Sequence, residues 1–244
     1  MKISGKNSVI ERLRSNPHSV KKIYIQQGID GVASIRKKAK QWGIPVLNVP
    51  KSKIVKMAWN TTTQGVLIDL DGFEYIECDA LLDDARKKKR VPIFLDSLND
   101  PQNLGAIIRS VACLGKFALI LPTHNSVSVT ESVLRVASGG DNYVPIAQVS
   151  NMNQAIQKAK DKGFWIVGSV VGEDNSIYNA EFPFPMALVM GSEQKGIRGG
   201  IRKNLDMEFS IPMALNTLSF NVAHATAIFC YEIKKQQHQK KSKD

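Results

Sequence analysis

From Val91 onward, short apolar runs alternate with amphipathic stretches, and this alternation constrains the fold more than any other feature of the chain. The apolar runs have the length of buried strands, and the stretches between them have helical spacing. Such alternation predicts an α/β domain whose mostly parallel sheet is covered by helices on both faces. The predicted strands are 92–97, 117–121, 144–149, 164–170, 187–190 and 208–211, and the predicted helices are 104–114, 131–138, 153–162 and 219–235.

The first third of the chain has the pattern of a separate, smaller α/β unit. Between the two parts, residues 76–90 carry an acidic cluster followed by five consecutive basic residues, which is typical of a solvated linker or linker helix. We therefore predict a first domain at 1–75, a linker at 76–90 and a second domain at 91–244 that ends in a basic tail. The predicted helices of the first domain are 6–14, 31–42 and 52–57, and its predicted strands are 22–26, 45–49 and 65–70.

The excess positive charge lies outside the central part of the chain. The formal net charge of +11 divides into +9 for residues 1–90, −1 for residues 91–230 and +3 for residues 231–244. Two basic segments around a neutral core are the electrostatic footprint of a nucleic-acid-binding protein. A basic surface kept for solubility would give the same composition.

Several classes of protein are excluded by what the sequence lacks. The longest apolar runs have the length of strands, and residues 1–10 lack the apolar core of a signal peptide, so we expect neither a membrane span nor classical secretion. Cys78, Cys113 and Cys230 lie far apart, and the four histidines never have ligand spacing, which argues against a disulfide scaffold or a metal site. We expect three reduced, buried thiols in a cytoplasmic protein.

Three polar segments follow predicted strands, and in parallel sheets ligands bind at the carboxyl ends of the strands. The first, 99–110, predicts a helix capped by Asn103 that carries Arg109, and taken alone it could be an ordinary capped helix with a surface arginine. The second, 191–196, is bounded by glycines like a phosphate loop but lacks the Lys and Ser or Thr that must follow, which argues against a nucleoside triphosphate site. The third, 211–232, is predicted to contain the end of a strand, a polar loop and the start of the last helix.

In order and spacing, the three segments resemble the signature motifs of the SpoU/TrmH family of RNA ribose 2′-O-methyltransferases, a branch of the SPOUT superfamily. The matching stretches are NDPQNLGAIIRS at 99–110, MGSEQKG at 190–196, and IPM at 211–213 followed by SFNV at 219–222. The first domain is similar to the ribosomal-protein-like RNA-binding domain of the branch that methylates large-subunit ribosomal RNA. The chain departs from the family pattern at Thr63, Phe220, Ala223 and His224.

The resemblance implies a second domain tied in a trefoil knot, which holds S-adenosylmethionine, and a homodimer with composite sites. Helix 104–114 and the last helix would supply much of the dimer interface. Carried over by position, the catalytic residues are Asn103, Arg109, Glu193 and Asn221. The cofactor-binding residues are Met190, Gly191, Glu193, Gly196, Ile211, Met213, Ser219 and Phe220.

The predicted reaction is methylation of a ribose 2′-hydroxyl in RNA, with a guanosine of large-subunit ribosomal RNA as the target. Because a guanidinium stays protonated in proteins, Arg109 is expected to bind the adjacent phosphate and stabilise the developing alkoxide rather than act as the base. No metal is needed, since the leaving group is a neutral thioether. Two alternatives stay open: an RNA-binding ribosome-assembly factor with weak or lost methylation, which Ala223 and His224 would allow, and a tRNA 2′-O-methyltransferase.

Overall fold

The computed structural model describes residues 1–58, 63–172, 175–192, 195–215 and 218–241, and contacts divide the chain into two compact units. One unit comprises Met1–Glu74 and Val129–Tyr143, and the other comprises Tyr75–Ser128 and Val144–Asp244. The strands are β1 (Lys2–Ser4), β2 (Val20–Gln26), β3 (Val46–Val49), β4 (Val66–Leu70), β5 (Val91–Leu95), β6 (Phe117–Pro122), β7 (Ile146–Val149), β8 (Trp165–Val170), β9 (Met186–Met190) and β10 (Met207–Ser210). The helices are α1 (Lys6–Ser15), α2 (Ala33–Gln41), α3 (Lys51–Met57), α4 (Cys78–Lys88), α5 (Pro101–Leu114), α6 (Glu131–Ala137), α7 (Met152–Asp161), α8 (Gly199–Arg202) and α9 (Val222–Lys241).

The first unit is built on a mixed sheet with the strand order β1-β4-β2-β3. Strand β4 runs antiparallel to β1 and β2, and β3 runs parallel to β2. Leu67 of β4 packs with Ile54 of α3, whereas its neighbours Val66 and Ile68 point to the opposite face and are fully buried there. Helix α1 contacts β4 and α2, so both faces of this small sheet are covered.

A buried ion pair joins residues 129–143 to α1 within the first unit. The Nη2 of Arg12 donates a hydrogen bond to Oδ2 of Asp141, and the two side chains are 7% and 0% exposed. Burial raises the pKa of Asp141, and the opposing effect of Arg12 does not cancel it. Helix α6 also packs on β1, where the backbone N–H of Lys2 donates to Oε1 of Glu131 at 2.7 Å. The compact units therefore depart from the predicted division, which put this helix in the second domain.

The second unit contains a six-stranded sheet with the order β10-β8-β9-β5-β6-β7, in which every neighbouring pair is parallel. The predicted α/β class with a mostly parallel sheet is confirmed. Helices α4 and α7 cover one face, where Leu82, Phe94 and Ile156 belong to one buried cluster. The next residue of β5, Leu95, points to the other face and is also buried, and there α5 packs on β6 and on α9.

The predicted linker has a different character in the structure. Residues 78–88 form α4, whose Leu81 and Leu82 are buried in the core of the second unit, so this segment is an integral helix of that unit. Cys78 and Cys230 are buried as predicted, and burial raises the pKa of the Cys78 thiol to about 11, but the prediction is wrong for Cys113, which is exposed on α5. In the described residues, no helix combines the length and apolarity needed to cross a bilayer.

Candidate active site

The carboxyl edge of the parallel sheet gathers the segments that the sequence marked. Strand β5 ends at Leu95, β9 ends at Met190 and β10 ends at Ser210. Because these strands are parallel within one sheet, the chain leaves all three at the same edge. The segments that follow them lead into α5, the glycine loop and α9.

Two asparagines from distant parts of the second unit meet at this edge. The Nδ2 of Asn221 donates a hydrogen bond to Oδ1 of Asn103 at 2.9 Å, although the two residues are 118 positions apart. The Oδ1 of Asn221 also accepts from the backbone N–H of Ala223 at 2.9 Å, so this side chain caps α9. One hydrogen-bonded pair thus joins the first motif to the third and fixes both amides.

The helix cap of the first motif is not the predicted one. Helix α5 begins at Pro101, and the side chain of Asp100 accepts from the backbone N–H of Gln102 at 2.8 Å. Asn103 is therefore inside the first turn, where it is only 7% exposed and its amide is available to Asn221. The prediction that Asn103 is the cap is wrong, because Asp-Pro supplies both the cap and the first helical residue.

Arg109 does not meet the asparagine pair within one chain. It lies six residues after Asn103, which corresponds to a rotation of about 120° around the helix axis. Its side chain is exposed on the stripe of α5 that also carries Cys113. In the described part of the chain, Arg109 has no hydrogen-bond or ion-pair partner, so the guanidinium is available to a ligand or to another molecule.

The glycine loop after β9 is closed by backbone hydrogen bonds. Ser192 and Gly196 exchange both N–H···O bonds, at 3.1 and 2.9 Å, and the backbone N–H of Lys195 donates to the Ser192 hydroxyl at 3.2 Å. A Cβ on Gly191 would lie 2.1 Å from the carbonyl carbon of Gly196, which no side chain can tolerate. Glycine is therefore required where β9 leaves the sheet. Glu193, predicted to be catalytic and cofactor-binding, lies outside the described residues.

Asp96 holds this loop against β5, and sequence reasoning missed it. Its side chain is fully buried, and it accepts from Nε of Arg198 at 2.7 Å and from the Arg198 backbone N–H at 3.0 Å. Its own N–H donates to the carbonyl of Met190 at 2.8 Å. An acidic residue directly after the fully apolar strand 91–95 was the available signal, because burial of a carboxylate at such a position costs free energy unless a partner binds it.

The third motif presents apolar side chains to solvent. Three apolar side chains that lie close together in sequence, between β10 and α9, are largely exposed. They are Leu215 (59%), Leu218 (64%) and Phe220 (44%). Exposed apolar side chains grouped beside a few polar groups are typical of a ligand-binding surface. Of the other predicted cofactor-binding residues, Met190 is buried within β9, so only its backbone could serve, whereas Ile211 and Met213 are half-buried and Gly196 and Ser219 are exposed.

Two departures from the family pattern lie at the start of α9. Ala223 is 5% exposed and packs inside the unit, and His224 is exposed in the single chain. No group of three or more His, Cys, Asp or Glu side chains that could hold a metal ion exists in the described residues.

Comparison with known proteins gives matches over nearly the whole chain. The model of the SpoU rRNA methylase family matches residues 90–231, and a model named RNA 2′-O ribose methyltransferase substrate binding matches residues 2–76. Proteins assigned to the TrmH family of tRNA/rRNA methyltransferases are 31% identical in Bacillus subtilis (strain 168), over 97% of this chain and 96% of the relative, and 34% identical in Staphylococcus epidermidis, over 99% and 98%. The crystal structure of the SpoU methyltransferase AviRb from Streptomyces viridochromogenes in complex with AdoMet shares the fold, with a TM-score of 0.82 and 19% identity over 98% of this chain and 91% of that one.

Proposed function

The chain belongs to the SpoU family of RNA methyltransferases, and we propose that it methylates the ribose 2′-hydroxyl of a guanosine in large-subunit ribosomal RNA with S-adenosylmethionine as the donor. Residues 1–75 are proposed to bind the RNA, and residues 91–244 to carry the transfer. In a bacterial cell, such as those of the relatives, ribosomal RNA is made in the cytoplasm, and we place the reaction there.

The observation that carries this proposal is the hydrogen bond between Asn103 and Asn221. It fixes two amides at the carboxyl edge of the sheet, where substrates bind in open α/β folds. Attack by a hydroxyl on a sulfonium methyl requires in-line placement more than any covalent help from the protein. Amides held rigidly by each other and by the cap of α9 are suited to orienting a ribose.

The residues at this edge fit S-adenosylmethionine. The exposed Leu215, Leu218 and Phe220 offer an apolar surface for a flat purine, and the Gly191 loop leaves backbone groups uncovered by side chains. When bound, the cofactor supplies an electrophilic methyl group on a positively charged sulfur. The chain would hold it with the backbone around Gly191 and Ile211 and with the side chain of Phe220, and we infer that this part of the chain forms the trefoil knot of the family.

We propose that Arg109 acts on the RNA phosphate next to the reacting ribose. A guanidinium binds a phosphate through two parallel N–H···O bonds and would also stabilise the negative charge that develops on the 2′-oxygen. The proton of the hydroxyl then leaves to a phosphate oxygen or to water. Because Arg109 and Asn103 diverge by about 120° on α5, we propose that Arg109 completes the site of a second copy of the chain in a homodimer.

The dimer interface is proposed to form from α5 and α9, which pack on each other. Cys113 is exposed on α5, and Tyr231 of α9 is 64% exposed, so both would be covered by a second copy. A thiol reagent tests this contact. Cys113 should react quickly in dilute protein and slowly at concentrations at which ultracentrifugation shows a dimer, and equal rates would exclude this face from the interface.

The function is tested by transfer of labelled methyl from S-adenosylmethionine to RNA that lacks modifications. Ribosomal RNA fragments and tRNA are offered separately to wild type, to Asn103→Ala and to the control Gln102→Ala, whose exposed side chain is in the same helical turn. Incorporation at one ribosomal guanosine, lost only in Asn103→Ala and mapped as an alkali-resistant linkage, is the expected result. If the chain methylates tRNA in preference to ribosomal RNA, tRNA becomes the proposed substrate. If it binds RNA and cofactor but incorporates no methyl group, the ribosome-assembly factor is favoured.

A further inference from the structure

A basic cavity lies at the amino-terminal edge of the parallel sheet, opposite the edge that carries the motifs. It has a volume of about 280 Å³ and lies wholly within the second unit. Val91 is the first residue of β5, Lys116 directly precedes β6, and Met186 is the first residue of β9, and all three line it. Because the strands are parallel, this cavity is separated from the proposed methyl-transfer site by the full length of the strands.

Cations from three segments of the second unit converge on this cavity, and no Asp or Glu of the described residues lines it. Asp84 lies beside one of them: its carboxylate oxygens are 3.4 Å from Nε of Arg90 and 2.6 Å from Nζ of the neighbouring Lys88. Like charges so close together repel, and a bound anion would relieve this repulsion. The lining cations are Arg86, Lys89, Arg90, Lys116, Lys234 and Lys240.

Most of the remaining wall of the cavity is apolar. Val91, Phe184, Pro185 and Met186 form this apolar part, and the polar side chains of Gln237 and His238 complete the lining. The Nζ of Lys240 lies 4.9 Å from the centre of the Phe184 ring, so a cation and an aromatic face adjoin in the same place. Cations that bind phosphate, beside an aromatic face on which a base can stack, are the combination used to bind single-stranded nucleic acid.

We propose that this cavity is a second RNA-binding site, which holds one nucleotide of a single-stranded segment with its phosphate on the cations and its base against Phe184. The proposal rests on the proposed function only in taking RNA as the ligand, since no step of methyl transfer occurs at this edge. It gives a specific role to Arg86, Lys89 and Arg90 of the basic run and to the last turns of α9.

The test is the binding of a fluorescently labelled, single-stranded RNA oligonucleotide to the full chain, without cofactor, over a range of salt concentrations. The site variant is Arg86→Gln with Lys89→Gln, and the control is Lys87→Gln with Lys88→Gln, which removes the same charge from the same basic run but outside the cavity. We expect at least a ten-fold loss of affinity for the site variant. Its plot of log K against log salt should be less steep by about 0.7 for each lost phosphate contact, whereas the control should keep the slope of wild type.

Equal losses in the two variants would overturn the proposal, because they would reflect overall charge rather than the cavity. Titration of the protein with 5′-GMP in a calorimeter distinguishes a site for free nucleotide from a site for an RNA strand. If wild type binds 5′-GMP, the site variant does not, and the two have the same affinity for RNA, the proposal is also overturned. Lys89 has a positive φ of 54°, so melting curves accompany each variant, and Lys234→Gln within α9 repeats the test if the double variant does not fold. Because methylation is not the readout, an inactive wild type would leave this result intact.

Discussion

Removal of Arg12 should destabilise the first unit by about 3–5 kcal/mol, the usual cost of leaving a buried charge without its partner. The carboxylate of Asp141 is fully buried, and Arg12 itself is 7% exposed. Among the described residues, Oδ1 of Asp141 has no hydrogen-bond partner, so Arg12→Met would remove the side-chain partner of the other oxygen, Oδ2, as well. For a unit of this size, a loss of 3 kcal/mol corresponds to a decrease in melting temperature of roughly 12 °C or more.

The loss of stability in Arg12→Met should also depend on pH, in a direction that follows from the pKa of Asp141. Burial already raises the pKa of Asp141, and loss of Arg12 removes an interaction that lowers it, so the pKa should rise further in Arg12→Met. A carboxyl whose pKa is higher in the folded state binds protons more strongly there, so the free energy of unfolding falls as pH rises through the interval between the unfolded and folded pKa values. The difference in the free energy of unfolding between wild type and Arg12→Met should therefore be largest at neutral pH and become smaller in acid.

The assay is urea unfolding followed by tryptophan fluorescence in a Trp165→Phe background, where the remaining tryptophans, Trp42 and Trp59, lie within residues 1–74. The double variant Arg12→Met with Asp141→Leu replaces both charges by apolar groups and should lie within about 2 kcal/mol of wild type. If the single and double variants lose the same free energy, or if the deficit of Arg12→Met does not change between pH 7 and about pH 5, the ion pair is not the cause.

Three further predictions concern the site. Gly191→Ala should leave the melting transition cooperative but weaken S-adenosylmethionine binding by more than ten-fold in calorimetry, because the new Cβ must displace Gly196, and unchanged affinity would contradict the proposed role of the loop. Asp96→Asn should raise the susceptibility of the glycine loop to proteolysis, because a neutral amide binds the facing guanidinium less strongly, and a wild-type cleavage rate would show that the clamp is dispensable. Equal mixing of inactive Asn103→Ala and Arg109→Ala chains should restore about a quarter of wild-type activity, since half of the dimers would then contain one intact composite site; no recovery would mean that both residues act within one chain.

The sequence predicted the parallel sheet well because its strands are short, buried apolar runs that are separated by helical periods. It missed β1 and α8, which have three and four residues and are too short to show a period. It also misjudged α4, since the charged residues of 79–90 hide the buried pair Leu81 and Leu82. Nothing in the sequence of α6 indicated that it packs on β1, because the partner of an amphipathic face is decided by tertiary structure.

In the candidate site, too, the residues that belong to local motifs were predicted from the sequence, whereas a residue defined by a distant contact was not. Asn103 and Asn221 were chosen because of their positions in motifs, and the structure joins them by a hydrogen bond across 118 residues. Asp96 belongs to no motif that the sequence revealed, yet its fully buried carboxylate holds the loop that contains the second motif. A supporting residue of this kind is recognised only when its partner is known.

In the homodimer that we propose, the two faces of α5 would have different roles, one in the site of its own chain and one toward the second copy. Its buried face contributes Asn103 to the amide pair, and its exposed face carries Arg109 and Cys113. A helix that contributes to its own site from one face and to a partner from the other gives each chain only part of the machinery. In such a dimer, Arg109 would extend into the site of the second copy. A composite site of this kind requires Arg109 to have no partner in the described part of its own chain, as is observed.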